Sequence, residues 1–66
     1  MNTSSSALTN REKEVLELLS QGLLNKEIAY RLYITENTVE YYLKQVYKKI
    51  KVANRVQASK YYQNKL

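Results

Sequence analysis

The stretch that decides how this chain folds is Asn25–Ile50, NKEIAYRLYITENTVEYYLKQVYKKI. It reads as two helices joined by one tight turn. Ile28, Ala29 and Leu32 fall at i, i+1 and i+4, which puts them on one side of a helix from Lys26 to about Leu32. Asn25 is placed to cap that helix, since its side chain can accept from a free N–H of the first turn. Tyr33 and Ile34 supply the turn, and Thr35 caps a longer helix along which Val39, Leu43, Val46 and Ile50 recur at steps of 4, 3 and 4. That stripe packs inward. Opposite it lie Asn37, Glu40, Tyr41, Lys44, Gln45 and Lys48, long side chains rich in donors and acceptors.

Such a pair has the form of a helix-turn-helix, about residues 25–50, whose second helix can enter a DNA groove and read base edges through a face of this kind. The same pattern occurs in small helical proteins that touch no nucleic acid, where polar residues outside the stripe are simply solvated. Charge helps to separate the two. The chain carries a net +5, and all six acidic residues lie in its first forty positions, which therefore carry −2. From Tyr41 onward come Lys44, Lys48, Lys49, Lys51, Arg55, Lys60 and Lys65 with no acid, a block of +7. A basic block continuous with the outer face of the longer helix suits a phosphate backbone, from which it would release counterions. Attraction to anionic lipid would give the same count, but here the cations interleave with Tyr and Gln on one helical face.

At 66 residues the chain is one domain, near the lower size limit for folding without a staple. There is no Cys and no His, which excludes a zinc site, a thiol nucleophile, a disulfide and an imidazole base. No cofactor is expected. Carboxylates alone remain as candidate catalysts, without a pocket-forming sheet or Gly-rich loop around them, so the chain is not expected to be an enzyme. With no Pro, one Gly and apolar residues at helical spacing throughout, the expected fold class is all-α. No signal peptide and no apolar run of membrane-spanning length is present, so a soluble cytoplasmic protein is expected.

Residues 1–7, MNTSSSA, are small, polar and aperiodic, and are expected to be a disordered tail or the end of a linker; residues 8–66 form the domain. Thr9 with Glu12 three residues later has the form of a capping box. Val15, Leu16, Leu18 and Leu19 supply the buried side of the helix it opens, and Gly22 can adopt the left-handed conformation that stops it. Leu23 and Leu24 lead into Asn25; both should be partly buried, with Leu24 as a staple against the following helix. Lys51 and Val52 break the chain after Ile50, and Asn54 with Gln57 can cap a last helix from Arg55 to about Lys65, whose apolar candidates are Val56, Ala58, Tyr61 and Tyr62. That stripe is ragged. Such a helix can finish the core or pair with a second copy; Ser59, Lys60 and Gln63 make any pairing surface small and polar, so a weak homodimer reinforced on DNA is expected.

Read together, LTNREKEVLELLSQG, the stretch Asn25–Ile50 and KVANRVQA resemble the DNA-binding domain of the LuxR/NarL/FixJ family of bacterial transcription regulators, from about Leu8 to the end. Several segments agree in order and spacing, which is far more specific than a lone motif. The resemblance implies a four-helix LuxR-type helix-turn-helix, unrelated to winged helices, with the third helix in the major groove and the fourth as dimer contact through Val56, Ser59, Lys60 and Gln63. Carried over by position, base-reading sites fall on Glu40, Tyr41 and Lys44. Backbone-anchoring sites fall on or near Lys26, Thr35, Thr38, Gln45 and Lys48, with Asn37 beside them. The resemblance also implies a structural ion pair between Glu12 and Arg55, joining the first and last helices. The chain departs from the pattern at Glu40, where Lys is frequent, at Tyr41 and Tyr42, where Asn and His are common, at Leu24, where a small hydroxyl residue is usual, and at Lys51, where Gly is usual.

The function expected from all of this is sequence-specific binding of double-stranded DNA by a dimer on paired half-sites, regulating transcription in a bacterium in association with the nucleoid, with RNA polymerase as a further partner. Two alternatives stand beside it. One is a promoter-recognising fourth region of a sigma factor, which shares the first two signals but usually ends with its recognition helix. The other is a protein-interaction module whose basic charge is incidental. The initial Met1 fits a complete small protein or the effector end of a longer regulator equally.

Overall fold

In the computed structural model, which describes residues 7–65 apart from the side chain of residue 65, the chain forms four helices: α1 (Asn10–Ser20), α2 (Asn25–Leu32), α3 (Glu36–Ile50) and α4 (Arg55–Lys65). No strand occurs among the described residues. Apart from Ala7, the tail expected over 1–7 lies outside them.

Three of the helices, α1, α3 and α4, start where a side chain satisfies a free N–H of the first turn. Thr9 Oγ1 accepts from the Glu12 N–H at 3.1 Å, and the Glu12 carboxylate accepts from the Thr9 N–H at 2.9 Å, a complete capping box. Thr35 Oγ1 accepts from the Thr38 N–H at 3.1 Å, and Asn54 Oδ1 from the Gln57 N–H at 3.0 Å. At α2 the expectation fails. Leu24, not Asn25, is the residue before the helix, and the Glu27 carboxylate accepts from its N–H at 2.7 Å. Asn25 is freed for a distant partner. Leu24 is 61% exposed, so it does not act as a staple; Leu23 is the half-buried leucine of the connection.

The first three helices stop in the same way. Gly22 (φ 90), Tyr33 (φ 58) and Lys51 (φ 60) take the left-handed conformation, and the N–H after each donates back to a carbonyl five residues earlier: Leu23 to Leu18, Ile34 to Ala29, Val52 to Tyr47. This motif turns the chain sharply while covering free carbonyls. Gly22 adopts it without steric cost, whereas Tyr33 and Lys51 do so against a penalty of about 1–2 kcal/mol.

Packing follows the stripes. Val15, Leu16 and Leu19 of α1, Ile28 and Ala29 of α2, Val39, Leu43 and Val46 of α3, and Ala58 of α4 form one buried cluster. α3 is the spine: α1 and α2 both pack on it, while α4 rests mainly on α1. Each fully buried aliphatic side chain there contributes roughly 1.5–3 kcal/mol, which a domain with extents of 32 × 22 × 18 Å requires, having no covalent staple.

Among the described residues Glu12 is the one charged residue in the core, at 4% exposure. Its partner is Lys49, whose Nζ lies 2.8 Å from Oε1 and 3.1 Å from Oε2. The pair expected with Arg55 is therefore not the one formed. Helix α1 packs against α3 along the side that carries Lys49. Arg55 instead donates from Nη1 to Asn25 Oδ1 at 2.8 Å and from Nη2 to the Leu23 carbonyl at 2.6 Å. Burial pushes the Glu12 carboxyl up, but hydrogen bonds from Lys49 and Thr9, and the Lys49 charge, outweigh it and hold it below its ordinary value.

Candidate nucleic-acid interface

Because Val39, Leu43 and Val46 are drawn into the core, the other side of α3 must face solvent, and the residues there are Glu36, Asn37, Glu40, Tyr41, Lys44 and Lys48. Glu36, Glu40, Lys44 and Lys48 follow at steps of four, so this face is acidic in its first half and basic in its second. That order agrees with the helix dipole. Tyr41, 58% exposed, meets the half-buried Tyr42 edge to face, with ring centroids 5.6 Å apart at 64°. Tyr42 thereby steadies Tyr41 beside Glu40 and Lys44. The three expected base-reading residues thus share one surface with Asn37 and Lys48.

The other expected contacts are differently situated. Gln45 and Thr38 are half-buried at the flank of that face. Thr35 and Thr38 place their hydroxyl oxygens 2.9 Å apart; of their two protons one joins the pair, leaving one O–H to donate outward. Lys26 is exposed on α2, where it lines a shallow groove with Leu23, Glu27, Tyr30 and Arg31. Tyr30 and Tyr33 are 84% and 95% exposed. Sequence reasoning assigned no role to Tyr30 or Arg31, although their offset from Ile28, Ala29 and Leu32 puts them on the outward side of α2.

Two open hollows meet at Lys44 and Tyr47. One adds Asn25, Glu40, Leu43 and Arg55; the other adds Gln45, Lys48, Val52 and Ala53. The start of α2 and the start of α4 are thus brought beside the middle of α3, with Arg55 holding both through Asn25 and the Leu23 carbonyl. Nothing in local spacing marks Asn25 as that partner. On α4, Val56, Lys60 and Gln63 are exposed and Ser59 is half-buried, on the side away from Ala58. Among the described residues no helix is long and apolar enough to cross a membrane.

Comparison with known proteins gives the family of the chain. The profile of the family described as "Bacterial regulatory proteins, luxR family" matches residues 6–62. The chain is 53% identical over 57 residues to the CsgBAC operon transcriptional regulatory protein of Escherichia coli, covering 86% of this chain and 26% of that protein. It is 52% identical over 52 residues to the nitrate/nitrite response regulator protein NarL of the same organism, covering 79% and 24%. To the transcriptional regulatory protein LnrK of Bacillus subtilis it is 52% identical over 54 residues, covering 82% and 24%. The chain spans about a quarter of the length of these curated relatives.

Proposed function

The chain belongs to the luxR family of bacterial regulatory proteins, and from that premise we propose that it binds double-stranded DNA in a sequence-specific way and regulates transcription, with α3 in the major groove. The observation that carries this reading is the outward face of α3. It gathers Asn37, Glu40, Tyr41, Lys44 and Lys48 on one accessible surface, and Lys44 and Lys48 also line open hollows beside the starts of α2 and α4.

In this reading Glu40, Tyr41 and Lys44 meet base edges, while Lys26, Thr35, Asn37, Thr38, Gln45 and Lys48 meet the sugar-phosphate backbone. Backbone partners fix register and strength, and base partners fix sequence. The spare hydroxyl proton of the Thr35–Thr38 pair donates to a phosphate oxygen, and Lys48 supplies charge one turn beyond Lys44. The residues Val56, Ser59, Lys60 and Gln63 pair two copies, which sets two half-sites about one helical turn apart. The pairing surface is small, so DNA strengthens the dimer. A full helix after α3 disfavours the sigma-factor alternative. RNA polymerase is the further partner a promoter-bound regulator would meet, and the exposed rings of Tyr30 and Tyr33 favour a protein contact on the α2 side. No catalytic role is assigned.

A binding selection of the whole chain on random duplex DNA at near-physiological salt tests this. The expected result is enrichment of a paired short site, with affinity falling steeply as salt rises. Failure to enrich any sequence, with binding insensitive to salt, would overturn the proposal in favour of a protein-interaction module.

A further inference from the structure

Resting on that reading, we infer that Glu40 selects a base bearing an exocyclic amino group, adenine or cytosine, and that N-methylation of that amino group blocks recognition.

Of the five other acidic side chains, four have visible occupations, and the fifth, Glu17, is exposed on α1 and is not part of the outward face of α3. Glu12 holds Lys49 and the Thr9 N–H, Glu14 pairs with Arg11 at 3.2 Å, and Glu27 caps α2 through the Leu24 N–H. Glu36 lies in the first turn of α3, where the helix dipole favours an anion. Glu40 has none of these, and it alone of the two unengaged carboxylates stands on the outward face of α3 beside Tyr41 and Lys44. It lies beyond the first turn and is exposed, and no ion pair or side-chain hydrogen bond among the described residues engages it. Lys44, one turn on, is not within ion-pair reach of it, although both line the open hollow that Arg55 also borders.

An ionised carboxylate only accepts hydrogen bonds. Against phosphate it is repelled, so in a bound α3 it must point at the groove floor. There the only donors are the amino groups of cytosine N4 and adenine N6, whereas guanine and thymine offer acceptors at that edge. Lys44 only donates, and it stands about 6 Å further along the helix axis. The two side chains together therefore ask for an amino-bearing base and an acceptor-bearing one, guanine or thymine, within about two base steps of each other. In a base pair one amino hydrogen is used by the opposite strand, and the other points into the groove. A methyl group on that nitrogen must point away from the partner base for pairing to persist. It thus replaces the hydrogen that Glu40 needs, whereas a methyl group on cytosine C5 leaves that hydrogen in place.

The test begins with the duplex that the whole chain enriches from a random pool, and compares wild type, Glu40→Lys, Glu40→Gln and the control Glu17→Lys, an exposed carboxylate on α1. For wild type, exchanging the amino-bearing base, or replacing it by N6-methyladenine or N4-methylcytosine, should weaken binding on the order of tenfold or more. Glu40→Lys should shift the preference at that one position to guanine or thymine, and Glu40→Gln should relax it, while Glu17→Lys leaves it alone. Melting temperatures establish that all four fold. Affinity rising equally on every duplex for Glu40→Lys, with base preference unchanged, would reduce Glu40 to a repeller of phosphate and overturn the inference. Indifference of wild type to the N-methyl group would overturn it too. If wild type bound no duplex selectively, the DNA-binding reading itself would fall, and this one with it.

Discussion

Lys48 and Lys49 are adjacent in the chain and carry the same charge, yet α3 turns the first to solvent and the second toward α1, where its ammonium lies 2.8 Å from a buried carboxylate. The same division runs through the whole basic C-terminal part. Lys44 and Lys48 stand on the open face of α3, while the donors of the half-buried Lys49 and Arg55 are engaged within the molecule, one by Glu12 and one by Asn25 and the Leu23 carbonyl. Net charge is thus a poor guide to an electrostatic footprint. Of seven cations after residue 40, at least two hold the fold together, and the charge of one of these, Lys49, is cancelled by an acid.

The sharpest way to break this division is to remove the two neighbours separately. Lys49→Ala leaves the Glu12 carboxylate buried with only Thr9 as partner and should cost about 2–4 kcal/mol, whereas Lys48→Ala should stay within about 0.5 kcal/mol; urea denaturation of the two variants compares them. Equal losses would erase the distinction. Acid gives a second view of the same pair. The folded Glu12 carboxyl titrates below its ordinary value of 4.5, so the pairing contributes in full above that value and is lost as pH falls through the lower folded one. The stability advantage of wild type over Glu12→Gln at neutral pH should therefore shrink as pH falls below the ordinary carboxyl value.

Arg55→Ala comes next, with an expected loss of about 1–3 kcal/mol, because it leaves the Leu23 carbonyl and Asn25 Oδ1 without their donor. Arg55→Lys should recover only part of this, since one ammonium cannot reproduce two parallel donors. A full recovery would mean that charge alone matters there. For the outward set the readout changes. Lys44→Ala and Lys48→Ala should each weaken DNA binding by roughly 1 kcal/mol and lower the salt slope by about 1 if each meets a phosphate; if Lys44 reads a base, its slope stays and its sequence preference relaxes. Fluorescence anisotropy across a salt series separates these outcomes. The smallest effect is expected at Lys51, where replacement by Gly relieves the left-handed backbone and should stabilise the fold by about 0.5–1 kcal/mol. Destabilisation on thermal melting would show that the lysine side chain does more than end a helix.

Features set by near neighbours were legible before the structure. The Thr9–Glu12 box, the Thr35 and Asn54 caps, the Tyr33–Ile34 turn and the stripe Val39, Leu43 and Val46 are read from spacing, because their partners lie within four residues or on one helix face. Features set by how helices rotate against each other were not. Asn25 looks like a cap until Arg55, thirty residues later, takes its side chain. Glu12 has several cations to choose from, and only the packing of α1 on α3 selects Lys49. Leu24 reads as a partly buried staple, yet Glu27 fixes its N–H and the side chain stays outside. The α3 face was legible as a surface, but spacing does not reveal which of its groups lack a partner.

The corner between α2 and α3 contains no glycine. A glycine at Tyr33 would let the joint visit both hands of backbone space; a tyrosine held at φ 58 has a narrow well and few alternatives nearby. The two helices therefore keep a fixed mutual angle in the free molecule. Whatever surface α3 meets, little conformational entropy is lost in shaping it, and the encounter rate is governed by diffusion and long-range charge attraction rather than by rearrangement.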